Sequence, residues 1–125
     1  MKKPRQSKVR NSASIVNGAL YFEDVCQCKL EDEIAAEILD DAYLTAIRVV
    51  SLTHNWQERV YYTADTNLVE DINVEMTLRK EKRGLLYHWY AYRRCLGKLH
   101  KRYVGHSEQI SQQRLLEIAR ALPSV

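Results

Sequence analysis

Long apolar runs are missing from this sequence. In its 125 residues, no stretch approaches the roughly 18 to 20 apolar residues that a membrane-spanning helix needs. The basic start, Met1-Lys-Lys-Pro-Arg, also lacks the apolar segment of a secretory signal. We therefore expect a cytoplasmic protein without membrane contact.

Glycine and cysteine are scarce, with four and three residues. Four glycines provide no Gly-rich phosphate-binding loop. Cys26, Cys28 and Cys95 cannot all pair within one chain, and the C-x-C spacing is tighter than the C-x-x-C spacing of zinc and redox sites. We therefore expect reduced thiols and no metal site. No serine lies in a G-x-S-x-G context, and the acidic runs are typical of a solvated face, so we also expect no cofactor and no enzymatic activity.

Charges of one sign are nearly absent from whole segments of the chain. Residues 23–41 hold eight acidic side chains and the single base Lys29, whereas residues 79–102 hold nine basic side chains and the single acid Glu81. The first ten residues add five bases and no acid. The overall formal charge of +3 therefore understates a segregation that points to a polyanionic partner for the basic part.

The N-terminal half predicts an arm and a helix. Residues 1–14 are too polar to offset the entropy of ordering, so we expect a flexible basic arm before a single domain over 15–125. The segment "SIVNGALYF", 14–22, is typical of a short strand or of a turn at Asn17-Gly18. Apolar residues then recur at helical spacing over 30–52 and predict an acidic amphipathic helix.

The C-terminal half predicts strands followed by a helix. "WQERVYYT", 56–63, favours a strand, and residues 71–79 alternate cleanly between apolar and polar. After a loop at "RKEKRG", strands at 85–94 and 98–104 would be joined by a tip at Leu96-Gly97. A helix then begins at the N-cap Ser111 and ends before Pro123. The predicted fold is thus α+β, a three-stranded antiparallel sheet covered by a C-terminal helix and preceded by the acidic helix and the basic arm.

A tip at Leu96-Gly97 fixes the pairing of the last two strands. One face would pair Tyr90 with Tyr103, Tyr92 with Lys101 and Arg94 with Leu99. The other face would pair Trp89 with Val104, Ala91 with Arg102 and Arg93 with His100. Because the first set is the more apolar near the sheet centre, we expect it to face the C-terminal helix and the second set to be exposed.

The stretch "HWYAYRRCLGKLHKRYVGHSEQISQQRLLEIARAL", 88–122, resembles basic aromatic hairpins with a following Arg-Leu-rich helix in bacterial mobile-element and regulatory proteins. The order of predicted elements over 72–122 is similar to the Arm-type, or AP2-like, DNA-binding domain of phage tyrosine integrases. The resemblance implies DNA binding through the sheet, with matching basic positions at Arg93, Arg94, Lys98, Lys101 and Arg102. The sequence departs from integrases in that we expect no catalytic domain, so no recombinase Tyr nucleophile and no Arg or His partner is assigned.

These observations favour a DNA-binding accessory or regulatory protein of a mobile element or phage that contacts duplex DNA through a basic aromatic hairpin. Two alternatives stay open: single-stranded nucleic-acid binding by stacking on the aromatic rings, and a protein-interaction module, an inhibitor or assembly subunit, that acts through the acidic helix. That helix could also serve a homodimer. The candidate nucleic-acid-binding residues are Arg79, Lys80, Lys82, Arg83, Arg93, Arg94, Lys98, His100, Lys101 and Arg102.

Overall fold

The computed structural model describes residues 12–57 and 67–124. In these ranges the strands are β1 (Ala13–Val16), β2 (Ala19–Phe22), β3 (Val25–Lys29), β4 (Ala46–Gln57), β5 (Asn67–Arg83), β6 (Leu86–Cys95) and β7 (Lys98–Gly105). The α-helices there are α1 (Ile34–Leu39) and α2 (Gln112–Ala121), and a 3₁₀ turn spans Ser107–Gln109.

The described strands form one seven-stranded mixed sheet in the order β3-β2-β1-β4-β5-β6-β7. Neighbouring strands are antiparallel except β1 and β4, which run parallel. The predicted three-stranded sheet was therefore wrong, because the sequence before residue 58 contributes four further strands. The predicted strand "WQERVYYT" falls mostly on residues 58–66, which lie outside the described ranges; its first two residues end β4.

The segment "SIVNGALYF" forms both of the structures that its sequence allowed. β1 and β2 pair around a turn at Asn17 and Gly18, whose φ angles of 51° and 76° suit the tight connection of a β-hairpin. β1 begins at Ala13, inside the range predicted as a flexible arm. Residues 1–11 of that arm lie outside the described part of the chain.

The acidic helix predicted over 30–52 was wrong in extent. α1 covers only Ile34–Leu39, and β4 begins at Ala46. Within β4, Ile47 and Val49 are fully buried while Arg48 between them is exposed, which is the period of a strand. The predicted helical spacing arose because apolar residues of α1 and of β4, on either side of a turn at residues 40–43, were read as one element.

The strand predicted at 71–79 is confirmed but is part of a longer one. β5 runs from Asn67 to Arg83, so the predicted loop at 79–83 was wrong, and its residues pair with β6. The register against β4 shifts between Val49 and Ser51, where Glu75 takes a φ of 38°. This β-bulge places one extra residue in β5 and bends the strand.

The pairing predicted for the last hairpin is confirmed from Tyr90 to the tip. Tyr90 lies opposite Tyr103, and the turn is at Leu96-Gly97. Trp89, however, lies opposite Gly105 because the register shifts between Trp89 and Tyr90.

The C-terminal helix is confirmed. The Ser111 hydroxyl accepts a hydrogen bond from the backbone N–H of Arg114, as an N-cap does. Leu115, Ile118 and Leu122 are buried, and the partly buried Ala119 packs against the same core. α2 lies across β4, β5 and β7, so the core occupies one face of the sheet.

Prediction one concerns two glycines in equivalent turns. Gly18 and Gly97 have φ angles of 76° and 78°, but a Cβ on Gly18 would lie 2.1 Å from Gln112 Oε1, whereas one on Gly97 would meet no atom within 4 Å. Gly97→Ala should cost about 1 to 2 kcal/mol of unfolding free energy from the left-handed backbone alone. Gly18→Ala should cost about 1 to 3 kcal/mol more, because Gln112 must leave its bond to the Thr53 N–H.

Urea denaturation of both variants measures this difference. Equal losses would mean that the Gln112 contact with the β1–β2 turn contributes nothing to stability.

Candidate nucleic-acid interface

The two faces of β5–β7 divide the ten predicted residues. We call the face that carries Arg79, Tyr90 and Tyr103 the open face, because α2 covers the opposite one. By strand alternation the open face holds four of the predicted residues, Arg79, Arg83, Arg94 and Lys101. The helix-covered face holds the other six, Lys80, Lys82, Arg93, Lys98, His100 and Arg102.

The predicted orientation of the hairpin was therefore wrong. Trp89 and Ala91 are buried on the helix-covered face, and the Trp89 indole N–H donates to the Ser107 hydroxyl at 3.0 Å. The small side chain of Ala91 leaves space for the core beneath α2, whereas the Tyr92 hydroxyl donates a hydrogen bond to Glu81 on the open face. The number of apolar side chains mattered less than where each polar atom could be satisfied.

A network of charged and aromatic side chains covers the open face around one carboxylate. Glu81 accepts hydrogen bonds from the Tyr92 hydroxyl, from Lys101 Nζ at 2.9 Å and from Arg83 Nη2 at 3.0 Å. We call Glu81, Arg83, Tyr90, Tyr92 and Lys101 the Glu81 cluster. Strand β5 supplies the carboxylate and Arg83, β6 the two tyrosines and β7 the lysine, so the cluster ties three strands together.

Cations lie over the tyrosine rings of this cluster. Lys101 Nζ is 4.3 Å from the centroid of the Tyr90 ring, and the Arg83 guanidinium is 5.3 Å from the same centroid. Arg79 lies 5.5 Å from the centroid of the Tyr92 ring. These distances suit cation–π attraction, which limits the positions that long basic side chains adopt.

The electrostatics of the Glu81 cluster follow from its hydrogen bonds. The bonds from Tyr92 and Lys101 lower the pKa of the Glu81 carboxyl, and the bond to Glu81 raises the pKa of the Lys101 ammonium. Both groups are therefore charged at neutral pH. Glu81 offsets part of the positive charge at the centre of the open face.

Two histidines border the cluster. His88 lies next to Tyr103, with 2.9 Å between its Nδ1 and the tyrosine hydroxyl, and its ring centroid is 4.5 Å from that of His106. The Tyr103 ring packs edge-on against Tyr90 with 5.4 Å between centroids. The aromatic surface therefore continues from the Glu81 cluster to the start of the 3₁₀ turn.

Lys80, a predicted nucleic-acid contact, lies on the helix-covered face and has partners within the fold. Its Nζ donates to the backbone carbonyl of Asp41 at 2.9 Å and lies 5.1 Å from the centroid of the Trp89 ring. Burial lowers the pKa of this ammonium. It joins the turn after α1 to the core.

Arg93 is likewise structural. Its guanidinium donates to the carbonyls of Ala119 and Leu122 at the end of α2, and to those of Val74 and Glu75 at the bulge of β5. Burial lowers the pKa of the Arg93 guanidinium, which nevertheless stays charged because arginine is not deprotonated in proteins. The remaining predicted residues on this face, Lys82, Lys98, His100 and Arg102, do not join the Glu81 cluster.

The end of the β5–β6 hairpin extends beyond its neighbours. β4 pairs with β5 only as far as Arg79, and β7 pairs with β6 only as far as Trp89. Glu81–Arg83 and Leu86–His88 therefore pair only with each other in the described sheet. At about 3.3 Å per residue, this two-stranded ribbon is roughly 10 Å long, and His106 flanks it at Tyr87 and His88.

Sequence reasoning missed the Glu81 cluster because it assigned 79–83 to a loop. The signal was present, since Arg79, Glu81 and Arg83 extend the alternation of the preceding strand and place three charged side chains on one face. Among the described residues, no group of three or more His, Cys, Asp or Glu side chains could hold a metal ion. None of the helices described there is long and apolar enough to cross a membrane.

Arg93 and Arg94 are adjacent in the sequence but should differ in their contribution to the free energy of unfolding. Arg93→Met should lower the free energy of unfolding by about 2 to 3 kcal/mol, because partly buried carbonyls of α2 and β5 lose their donor. Arg94 donates only to the Gly97 carbonyl, at 3.2 Å, among the bonds found in the described part, so Arg94→Met should change it by about 0.5 kcal/mol or less. Thermal and urea melts compare them, and similar losses would contradict the assigned role of Arg93.

Comparison with known proteins returned no relative. No protein-family model, no curated protein and no solved structure matches the chain. The resemblance of residues 72–122 to Arm-type integrase domains stays a hypothesis.

Proposed function

We propose that this protein binds duplex DNA through the open face of β5–β7 and the projecting end of the β5–β6 hairpin. The observation that carries the proposal is the row of cations held on tyrosine rings at this face. Arg79, Arg83 and Lys101 each lie within 5.5 Å of a ring centroid, so their positions are partly fixed before a ligand binds. Ordered cations lose less side-chain entropy when they meet phosphates.

The shape of the hairpin supports a duplex as the ligand. A sheet of seven strands about 4.8 Å apart is far wider than a groove of DNA, but its projecting part has only two strands. The major groove, about 12 Å wide, admits a two-stranded ribbon. The ribbon could enter the groove while Arg79 and Lys101, farther back, meet the phosphates.

Single-stranded nucleic acid is the less favoured ligand. Stacking needs a free ring face, and the two central rings already have partners: Tyr90 packs against Lys101 and Arg83, and Tyr92 against Arg79. The rings therefore serve to order cations more than to receive bases.

We also propose a biological role for this DNA-binding protein. A free-standing DNA-binding module suits an accessory or regulatory protein of a mobile element or phage, working in the cytoplasm. The rival hypothesis of a protein-interaction module assumed a long acidic helix, but α1 has only six residues. Acidic side chains around β3 and α1 are nevertheless exposed. A protein partner or a homodimer at the acidic side chains beside β3, the edge strand opposite β7, is compatible with DNA binding at the open face.

Prediction three compares two lysines of the same strand. Lys101 lies on the open face and Lys98 on the other, both exposed. Fluorescence anisotropy of labelled duplex DNA, single-stranded DNA and RNA over a salt series measures binding. Wild type should prefer duplex DNA, and Lys101→Ala should reduce the slope of log K against log salt by about 1, as the loss of one phosphate contact does. Lys98→Ala should leave the slope nearly unchanged.

Two outcomes would contradict this proposal. Equal effects of Lys98→Ala and Lys101→Ala would show that the open face is not the interface. Absence of binding to all three nucleic acids at low salt would favour a protein partner instead.

Prediction four concerns the carboxylate at the centre of the face. Glu81→Gln should tighten duplex binding by about fivefold at low salt, because a charge interaction of roughly 1 kcal/mol no longer opposes the phosphates. Glu117→Gln is the matched control, since Glu117 pairs with Arg114 on α2, away from the open face, and has the same formal charge. If both variants gain equally, net charge rather than the local cluster controls affinity.

A further inference from the structure

The tip of the β5–β6 hairpin carries two leucines that the fold does not bury. Leu85, in the turn, is 92% exposed and Leu86, at the start of β6, is 58% exposed. Their neighbour Tyr87 is 55% exposed but has a structural use, because the Lys80 and Lys82 ammonium groups lie 5.9 Å from its ring centroid. Adjacent exposed leucines at the end of a projecting ribbon are a common feature of interaction surfaces.

The charges near this tip select the kind of partner. Arg83 immediately precedes the turn, and Arg79 and Lys101 continue the positive charge back along the open face. A membrane surface would touch the tip end-on and leave these farther cations unused. A linear polyanion lying along the face would meet all of them, and it would bring its own apolar interior, the stacked bases, against the tip.

We propose that Leu85 and Leu86 form an apolar wedge that inserts at a base step of duplex DNA and partly unstacks it. This proposal rests on the proposed function and adds the part of the duplex that the tip contacts. Leu86 lies opposite Arg83 on the open face, so a cation that can reach a phosphate stands beside the wedge. Apolar wedges of this kind kink DNA when they enter between bases.

The free-energy cost of unstacking a base step offsets the gain from burying the leucines. Burial of the leucine side chains favours binding by an amount similar to the cost of opening a base step, so the net effect on affinity is small. Pyrimidine–purine steps such as TpA open most readily, and A-tracts are stiff. The wedge should therefore act at TpA steps and be detected by base stacking rather than by affinity.

The test uses the full-length protein and duplexes that carry 2-aminopurine, a fluorescent adenine analogue that brightens when it unstacks. One duplex places the probe at a central TpA step, and a matched duplex places it inside an A-tract. Wild type should raise the fluorescence of the TpA duplex more than that of the A-tract duplex. The double variant Leu85→Ser/Leu86→Ser should lose the rise, while its affinity falls by less than about tenfold and its salt slope stays unchanged.

Leu96→Ser is the matched control. Leu96 is 87% exposed at the tip of the other hairpin, between β6 and β7, so its replacement removes a comparable apolar side chain at the opposite end of β6. This variant should keep the fluorescence rise. If Leu96→Ser abolishes the rise and the double variant retains it, the wedge assignment to Leu85 and Leu86 is wrong.

The remaining outcomes separate this proposal from the proposed function. Salt-dependent duplex binding without any change in 2-aminopurine fluorescence would overturn the wedge and leave DNA binding in place. Absence of duplex binding by wild type would overturn both. Binding to vesicles of anionic lipid that the double variant alone loses, with no unstacking of DNA, would assign the tip to a membrane and overturn the wedge.

Discussion

The Arg93 guanidinium joins the elements on which the fold of the C-terminal half depends. It donates to the carbonyls of Ala119 and Leu122 at the end of α2 and to those of Val74 and Glu75 at the β-bulge of β5, two places where helices and ladders commonly leave carbonyls without regular partners. The planar group has five N–H donors in fixed directions, which lysine could not replace. Arg93 fixes α2 against the covered side of β5 and β6, and none of the helices described in 12–57 and 67–124 lies on the opposite side of these strands.

The same residue type therefore has two uses in this sheet, decided by strand alternation. Arg93 meets backbone carbonyls, whereas Arg79 and Arg83 lie over tyrosine rings on the open face. A cation that loses water when the protein folds needs protein acceptors in its place, whereas an exposed cation can contact water and an aromatic ring at the same time. Basic residues in one short segment thus divide into structural and surface groups, which composition alone does not distinguish.

Local chemistry made part of this fold predictable. The Ser111 cap and the Leu96-Gly97 tip depend on neighbours a few residues away, and both were predicted correctly. The extent of α1 and the choice of hairpin face were not, because they depend on partners far along the chain. β4 is a strand through its pairing with β1 and β5, and the Trp89 face is buried through Ser107 and α2. The ten candidate residues were chosen from charge, and only their alternation in the folded sheet brought four of them to one face.

The single parallel contact between β1 and β4 has a consequence for how the chain folds. Strands β5, β6 and β7 follow one another through tight turns, so their pairs close short loops. Ser14 and Arg48, partners across the parallel contact, are separated by β2, β3 and α1. Because loop-closure entropy grows with sequence separation, the C-terminal meander should gain its pairing early, and the acidic edge of the sheet should dock onto it later. The basic surface would then exist during folding before the acidic segment has found its place, and attraction between opposite charges could guide that segment to the sheet.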